Sequence, residues 1–282
     1  MPANTPKPRR KSSQVPLRVL VLDVGGTNVK VYPPGRAVRI EIPSGPTLTP
    51  EHMTQQIRKR LKGQPYDVVS MGYPGPVAHG RILREPPHLG KGWVRFDFER
   101  ALGRPIHIIN DAAMQALGSY HGGRMLFLGL GTGLGTAMVI AGELQPMELG
   151  HLPWKKGKTY EDYVGELGLQ RLGRKKWQKA VFTITELFWD ALEPDYVVLG
   201  GGNVRKLKEV PPGARAGTNL NAFTGGVRLW RGGGQVVHAK WAAASTRPPP
   251  RPGTGLRKST TAAGEKPQLP GPGTKRLPER RG

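Results

Sequence analysis

The 282-residue chain carries 43 Lys and Arg against 20 Asp and Glu, a formal charge of +23, and contains no cysteine. The length allows one large domain or two modest ones, and the missing cysteine excludes a disulfide framework, thiolate metal sites and a Cys nucleophile, which suits a cytoplasmic setting. The basic start "MPANTPKPRRKSSQVPLRVL" lacks the apolar core of a secretory signal, and no later run approaches the ~20 apolar residues that span a bilayer, so no membrane role is expected.

Residues 1–16, with "KPRRK" among Pro, Asn and Ser, read as a disordered basic arm. "LRVLVLDV" is an apolar run ending in Asp23, and "VKVY" alternates after a glycine turn, so the two predict a hairpin. "VRIEIP" adds a strand. Thr49-Pro50-Glu51 opens a helix through "HMTQQIRKRL", with Thr49 as cap and Pro50 in the first turn. "YDVVSMGYPGP" is a strand ending in a Gly/Pro loop, and "IHIIN" is a buried strand followed by a helix, "AAMQALGSY", after Asp111. "RMLFLGL" and "GTAMVI" are strands joined through a glycine turn, "KKWQKAVFTITELFWDAL" is a long helix, and "DYVVLGGG" is a strand running into glycines. Strands and helices interleave, which makes the class α/β. From Arg231 the composition turns to Pro, Gly and Arg, as in "TRPPPRPGTGLRK", and residues 232–282 read as a low-complexity disordered tail that activity does not need.

The glycine turns narrow the chemistry. A dinucleotide-binding turn runs strand, GxGxxG, helix, whereas "LDVGGTNVKVY" runs strand, turn, strand, and no GxxxxGK[ST] motif occurs. "LFLGLGTGLGTAMVI" repeats the same device, with Gly129, Gly131, Gly133 and Gly135 where a tight hairpin needs only ~2 special residues. Two turns that expose backbone N–H groups would grip a phosphate chain; two unliganded hairpins would look alike in sequence. Asp23 reads either as a turn residue or as a metal-binding carboxylate. Asp111 reads either as the cap of the following helix or as a base.

The ordered set "LDVGGTNVK", "GYPGPV", "HLGKGWVRFDF", "INDAAMQALGSY", "GLGTGLGTAM", "MELGH", "YEDYVG" and "YVVLGGGN", spread from about Leu17 to Trp230, resembles the ROK family of sugar kinases and sugar-responsive repressors, above all its polyphosphate-glucokinase-like branch. The resemblance implies the two-lobed, ribonuclease H-like fold of the actin-like ATPases with a central cleft, one lobe at 17–110 and the other at 111–231. It implies that Asp23 holds Mg²⁺, directly or through water, and that Gly25, Gly26, Thr27, Gly131, Thr132 and Gly133 receive donor phosphate. It makes Asp111 the catalytic base, and Asn110, Glu148, His151 and Glu161 the groups that bind sugar hydroxyls. Gly200, Gly201 and Gly202 match the side that approaches a nucleotide. Many members bind zinc through the equivalent of His151 and a Cys cluster; "KKGKTY" stands in place of that cluster, so no structural zinc is expected.

The implied activity is transfer of a phosphoryl group from polyphosphate or ATP to the 6-hydroxyl of glucose or a related hexose, an early step of glycolysis, with polyphosphate placed ahead of ATP. Lys155, Lys156 and Lys158, with Arg171, Arg174, Lys175, Lys176 and Lys179, would track a long polyanion or form a solvated face. The alternatives are a strictly ATP-dependent ROK glucokinase and a non-catalytic sugar- or polyanion-binding protein. The family's repressors carry a helix-turn-helix ahead of the first turn, where this chain has only the basic arm, so no specific nucleic-acid partner is expected; a homodimer is allowed for.

Overall fold

The computed structural model describes residues 16–35, 39–86, 88–218 and 220–231. The expected disordered arm and the 232–282 tail lie outside the described residues, apart from Pro16. The first sheet contains β1 (Val19–Val24), β2 (Asn28–Tyr32), β3 (Ile40–Pro43), β4 (Val68–Tyr73) and β7 (Ile106–Asn110), in the order β3-β2-β1-β4-β7. Between β3 and β4 runs α1 (Pro50–Leu61), where Thr49 Oγ1 accepts from the His52 amide and Met53, Ile57 and Leu61 bury one stripe, as the sequence predicts. A small hairpin, β5 (Val77–Ala78) with β6 (Arg81–Ile82), and α2 (Phe98–Leu102) precede β7.

After α3 (Asp111–Ser119) a second sheet repeats the plan. It contains β8 (Arg124–Leu130), β9 (Leu134–Ile140), β10 (Glu143–Met147), β11 (Tyr196–Gly200) and β12 (Ala214–Ala216), in the order β10-β9-β8-β11-β12. In both sheets three antiparallel strands come first and two parallel strands are added on the far side of the first. The architecture is the expected α/β actin-like one. The turns β1–β2 and β8–β9 therefore occupy equivalent places, one in each half.

Before β11 come α4 (Glu161–Val164) and α5 (Glu166–Leu192). The sequence predicts α5 only from Lys175; it begins at Glu166 and is interrupted at Gly173, whose φ of 73° leaves the helical region. Trp177, Val181, Ile184 and Phe188 bury its inner face against the second sheet, and the Trp177 indole N–H donates to the Val164 carbonyl at 2.8 Å.

The last described helix, α6 (Asn221–Arg228), returns to the first sheet and crosses α3. At Gly118 of α3 and Gly225 of α6 the facing backbones leave no room for a side chain. Ala112, Ala113, Ala116 and Leu117 of α3, Val21 and Val68 of the first sheet, Phe127 and Val198 of the second and Ala222 of α6 form one shared apolar core. Ser70 of β4 donates to the Gly226 carbonyl at 2.6 Å and accepts from the Trp230 indole at 3.0 Å, so buried hydrogen bonds fasten the end of the described chain to the first sheet.

Candidate active site

The two glycine turns have three residues each, and in both the first amide is spent across the turn. The Gly25 N–H donates to the Asn28 carbonyl and the Gly131 N–H to the Gly133 carbonyl, each at 3.1 Å. These first amides close the turns. The amides of Gly26 and Thr27, and of Thr132 and Gly133, donate to no group among the described residues. The turns also approach each other, since Thr132 Oγ1 lies 4.0 Å from the point where a side chain on Gly26 would begin. Two pairs of unspent N–H groups, one from each half, therefore belong to turns that approach each other.

Asp23, at the end of β1, is 3% exposed, and its Oδ2 accepts from Lys30 Nζ at 2.9 Å. Burial pulls the Lys30 ammonium down, but the charge and hydrogen bond of Asp23 outweigh it and the net shift is upward. Among the described residues no three His, Cys, Asp or Glu side chains cluster as a metal cage. Mg²⁺ in phosphoryl transfer asks for one or two carboxylates, with donor oxygens and water completing its shell. Asp23 fits that demand, because Lys30 engages only one of its oxygens.

Register pairs Asp23 with Gly72 of β4. The Asp111 Cα sits 3.2 Å from where a Gly72 side chain would start, so the missing side chain lets α3 begin close behind β4. Capping of α3 falls to Asn110, whose Oδ1 accepts from the Ala113 amide at 3.1 Å. Asp111 is the first helical residue; its Oδ1 accepts from the Ala112 amide at 2.8 Å and its other oxygen is unspent. Burial first, and the charge of Asp23 second, push the Asp111 carboxyl up to about 7; Lys30 pulls against them and Glu148 adds to them. Asn110 also donates to the Gly75 carbonyl at 3.2 Å, which leaves one amide hydrogen for a ligand.

Glu148 and His151, from the turn after β10, come together with Glu161, the first residue of α4. His151 Nδ1 lies 3.6 Å from Glu148 and its Nε2 3.6 Å from Glu161. Glu161 Oε2 accepts from the Leu134 amide at 3.3 Å and fills the space where a Gly133 side chain would stand, which joins this cluster to the second glycine turn. Partial desolvation pushes Glu148 up, His151 and Arg84 pull it down, and Glu161 adds to the rise. The cluster presents carboxylate acceptors and an imidazole, the groups that discriminate among hydroxyls.

The glycines that end and follow β11 differ in role. Gly200 is packed on the Phe127 ring, Gly201 has a φ of 84° against the Leu130 carbonyl, and only Gly202 faces open space. Next to them Asn203, 5% exposed, donates to the Gly131 carbonyl at 3.0 Å, and the Glu166 amide donates to the carbonyls of Gly131 and Thr132. Lys206 pairs with Glu166 at 3.1 Å. Arg171, Arg174, Lys175, Lys176 and Lys179 are exposed along the first part of α5, as are Lys155, Lys156 and Lys158. A groove of about 1270 Å³ beside β7, lined by His79, Trp93, Phe96 and Leu229 among others, includes none of these site residues.

Sequence reasoning missed Lys30, Asn203 and Glu166. Lys30 alternates with apolar residues in "NVKVY" and looks like a solvent-facing strand position; only the pairing of β2 with β1 puts it beside Asp23. Asn203 was visible in "YVVLGGGN" without a role.

No family model matches the chain. A polyphosphate glucokinase of Mycobacterium tuberculosis is 27% identical over 213 residues, 68% of this chain and 80% of its own length. Among solved structures, an inorganic polyphosphate/ATP-glucomannokinase from Arthrobacter sp. strain KM superposes with a TM-score of 0.61 at 24% identity, over 76% of this chain and 98% of that one. A ROK family glucokinase from Streptomyces griseus, in complex with glucose and AMPPNP, gives 0.62 at 15% identity, over 76% and 99%. The structural likenesses speak for the fold, and the sequence likeness runs across both halves of it. The chain is thus similar in sequence to the polyphosphate glucokinases and in fold to a ROK family glucokinase.

Proposed function

We propose that the protein is a sugar kinase that transfers a phosphoryl group from polyphosphate, or from ATP, to the 6-hydroxyl of glucose. The observation that carries this reading is the placement of Asp111. It lies within electrostatic reach of Asp23 and Lys30 on the side of the glycine turns and of Glu148 on the side of the hydroxyl-binding cluster. A carboxyl near pKa 7 with one unspent oxygen is matched to take a proton from an alcohol at neutral pH.

In this reading the amides of Gly26, Thr27, Thr132 and Gly133 hold donor phosphate, and Glu148, His151 and Glu161, with Asn110, orient the sugar. Asp111 accepts the hydroxyl proton as the oxygen attacks phosphorus. Mg²⁺, with Asp23 as its protein ligand, supplies neutralisation of the charge on the transferring group when bound. Lys206, paired with Glu166, and Arg174, which donates to the Lys206 carbonyl, lie beside the residues that support the second turn, and further exposed cations follow along α5, which supports a long polyanion as donor. The open space at Gly202 supports ATP as the second reading.

The test is glucose phosphorylation by purified protein with Mg²⁺ and either polyphosphate or ATP, with Asp111→Asn as control. Turnover with polyphosphate that the variant loses, and that weakens as salt is raised, supports the first reading. Turnover with ATP alone selects the second. No turnover with either donor across several hexoses overturns both and leaves a non-catalytic binder.

A further inference from the structure

The loop between β6 and α2 sends one side chain towards the glycine turns. It is held from both ends: the Tyr73 hydroxyl donates to the Arg84 carbonyl at 2.8 Å, and the Glu85 carboxylate accepts from the amides of Trp93 and Val94 at 3.0 and 3.1 Å. The Gly90 N–H donates to the Leu48 carbonyl at 3.0 Å, and a side chain at Gly90 would collide with that carbonyl. Leu89 and Trp93 are buried in the core of the first sheet. His88, amid these anchors, does not join the core. It is exposed and its ring makes no hydrogen bond among the described residues.

Its position is nonetheless defined. From the point where a side chain on Gly26 would begin, His88 Cβ lies at 3.6 Å, His88 Cδ2 at 4.0 Å and Thr132 Oγ1 at 4.0 Å. Three segments, the β1–β2 turn, the β8–β9 turn and the β6–α2 loop, thus meet beside Gly26, whose amide is unspent. In either tautomer that ring offers at least one N–H donor, and the hydrogen bonds at Arg84, Glu85 and Gly90 flank it in the loop.

We infer that His88 is a third donor-phosphate contact, which donates a hydrogen bond to a phosphate oxygen held between the Gly26 and Thr132 turns. This rests on reading the turns as the donor site. The class of ligand is the inorganic or nucleotide polyphosphate chain, and the sugar does not depend on His88.

The test uses the full chain and the variants His88→Ala and His88→Gln, with tripolyphosphate binding measured by calorimetry and donor and glucose KM by steady-state kinetics. His88→Ala is expected to weaken tripolyphosphate binding and raise donor KM about tenfold, the scale of a lost hydrogen bond to a charged group, with glucose KM and melting temperature unchanged. His88→Gln, which keeps an N–H donor, is expected to recover most of the loss. Equal tripolyphosphate affinity in wild type and His88→Ala, a shift confined to glucose KM, or a wild type that binds no tripolyphosphate overturns the inference. Tripolyphosphate binding that depends on His88 without turnover of any hexose would sustain it while the kinase reading fails.

Discussion

Asp23 and Asp111, at the ends of strands separated only by β4, are electrostatically coupled: the negative charge of the first helps burial to lift the second to about 7. Gly72 makes the coupling geometric, since it pairs with Asp23 in register and its missing side chain admits the Asp111 backbone. On the proposed reading, a donor-side carboxylate would thereby tune the group that takes the acceptor's proton.

A base must be ionised to act, so kcat/KM for glucose should rise with pH through about 7 and level off above it. Lys30 holds Asp111 down, so Lys30→Met should move that limb to higher pH. A pH–rate profile of the two proteins checks this; a limb that stays in place, or moves to lower pH, removes Asp111 as its source.

Asp111→Asn should lower kcat by ~10²- to 10⁴-fold, the usual contribution of a positioned base. Its stability should change in the opposite sense. A carboxyl raised from 3.8 to about 7 favours the fold while protonated, and that contribution is lost as pH rises through about 7. The Asn variant should therefore melt above wild type at pH 8 and converge with it near pH 4, as scanning calorimetry at the two pH values would show.

Gly133→Ala would place a methyl group where the Glu161 carboxylate stands. The end of a flexible side chain yields easily, so the fold should hold while Glu161 leaves His151 and the Leu134 amide. Glucose KM should rise about tenfold, ~1.4 kcal/mol of binding, with little change in melting temperature. A large loss of stability would show instead that the turn cannot accept a Cβ.

Ending the chain after Arg231 should leave activity and melting temperature unchanged. Ending it before α6 should lower the melting temperature by ~5 °C or more, because Ser70 loses the Gly226 and Trp230 partners and α3 loses its close neighbour. Thermal melts of the two truncations test where the fold ends.

The fold was legible wherever strand, glycine turn and strand followed one another, because a three-residue turn with glycines is a local signal. The strand register was not, since it is set by contacts between distant segments; the repeated plan of two halves came from the family resemblance alone. Asn110 and Asp111 are adjacent residues of similar capping strength, and nothing local says which caps the helix; packing at Gly72 leaves the second for the site. Helix α6 was not read because "NAFTGGVR" holds two glycines, poor helix formers that close approach to α3 and β1 requires. The acidic and imidazole groups were visible as residues, while their meeting around His151 depends on how α4 and the β10 loop return to the second sheet.

Each glycine turn spends its first amide on itself and leaves the next two unspent. The orientation of those donors is thus settled during folding, before any ligand arrives, and the cost of aligning dipoles does not fall on association. Because one pair belongs to each half, a phosphate chain held by both, as proposed, would act as a tether between them. Donor affinity and resistance to unfolding would then be a single linked equilibrium, in which saturating donor stabilises both halves together.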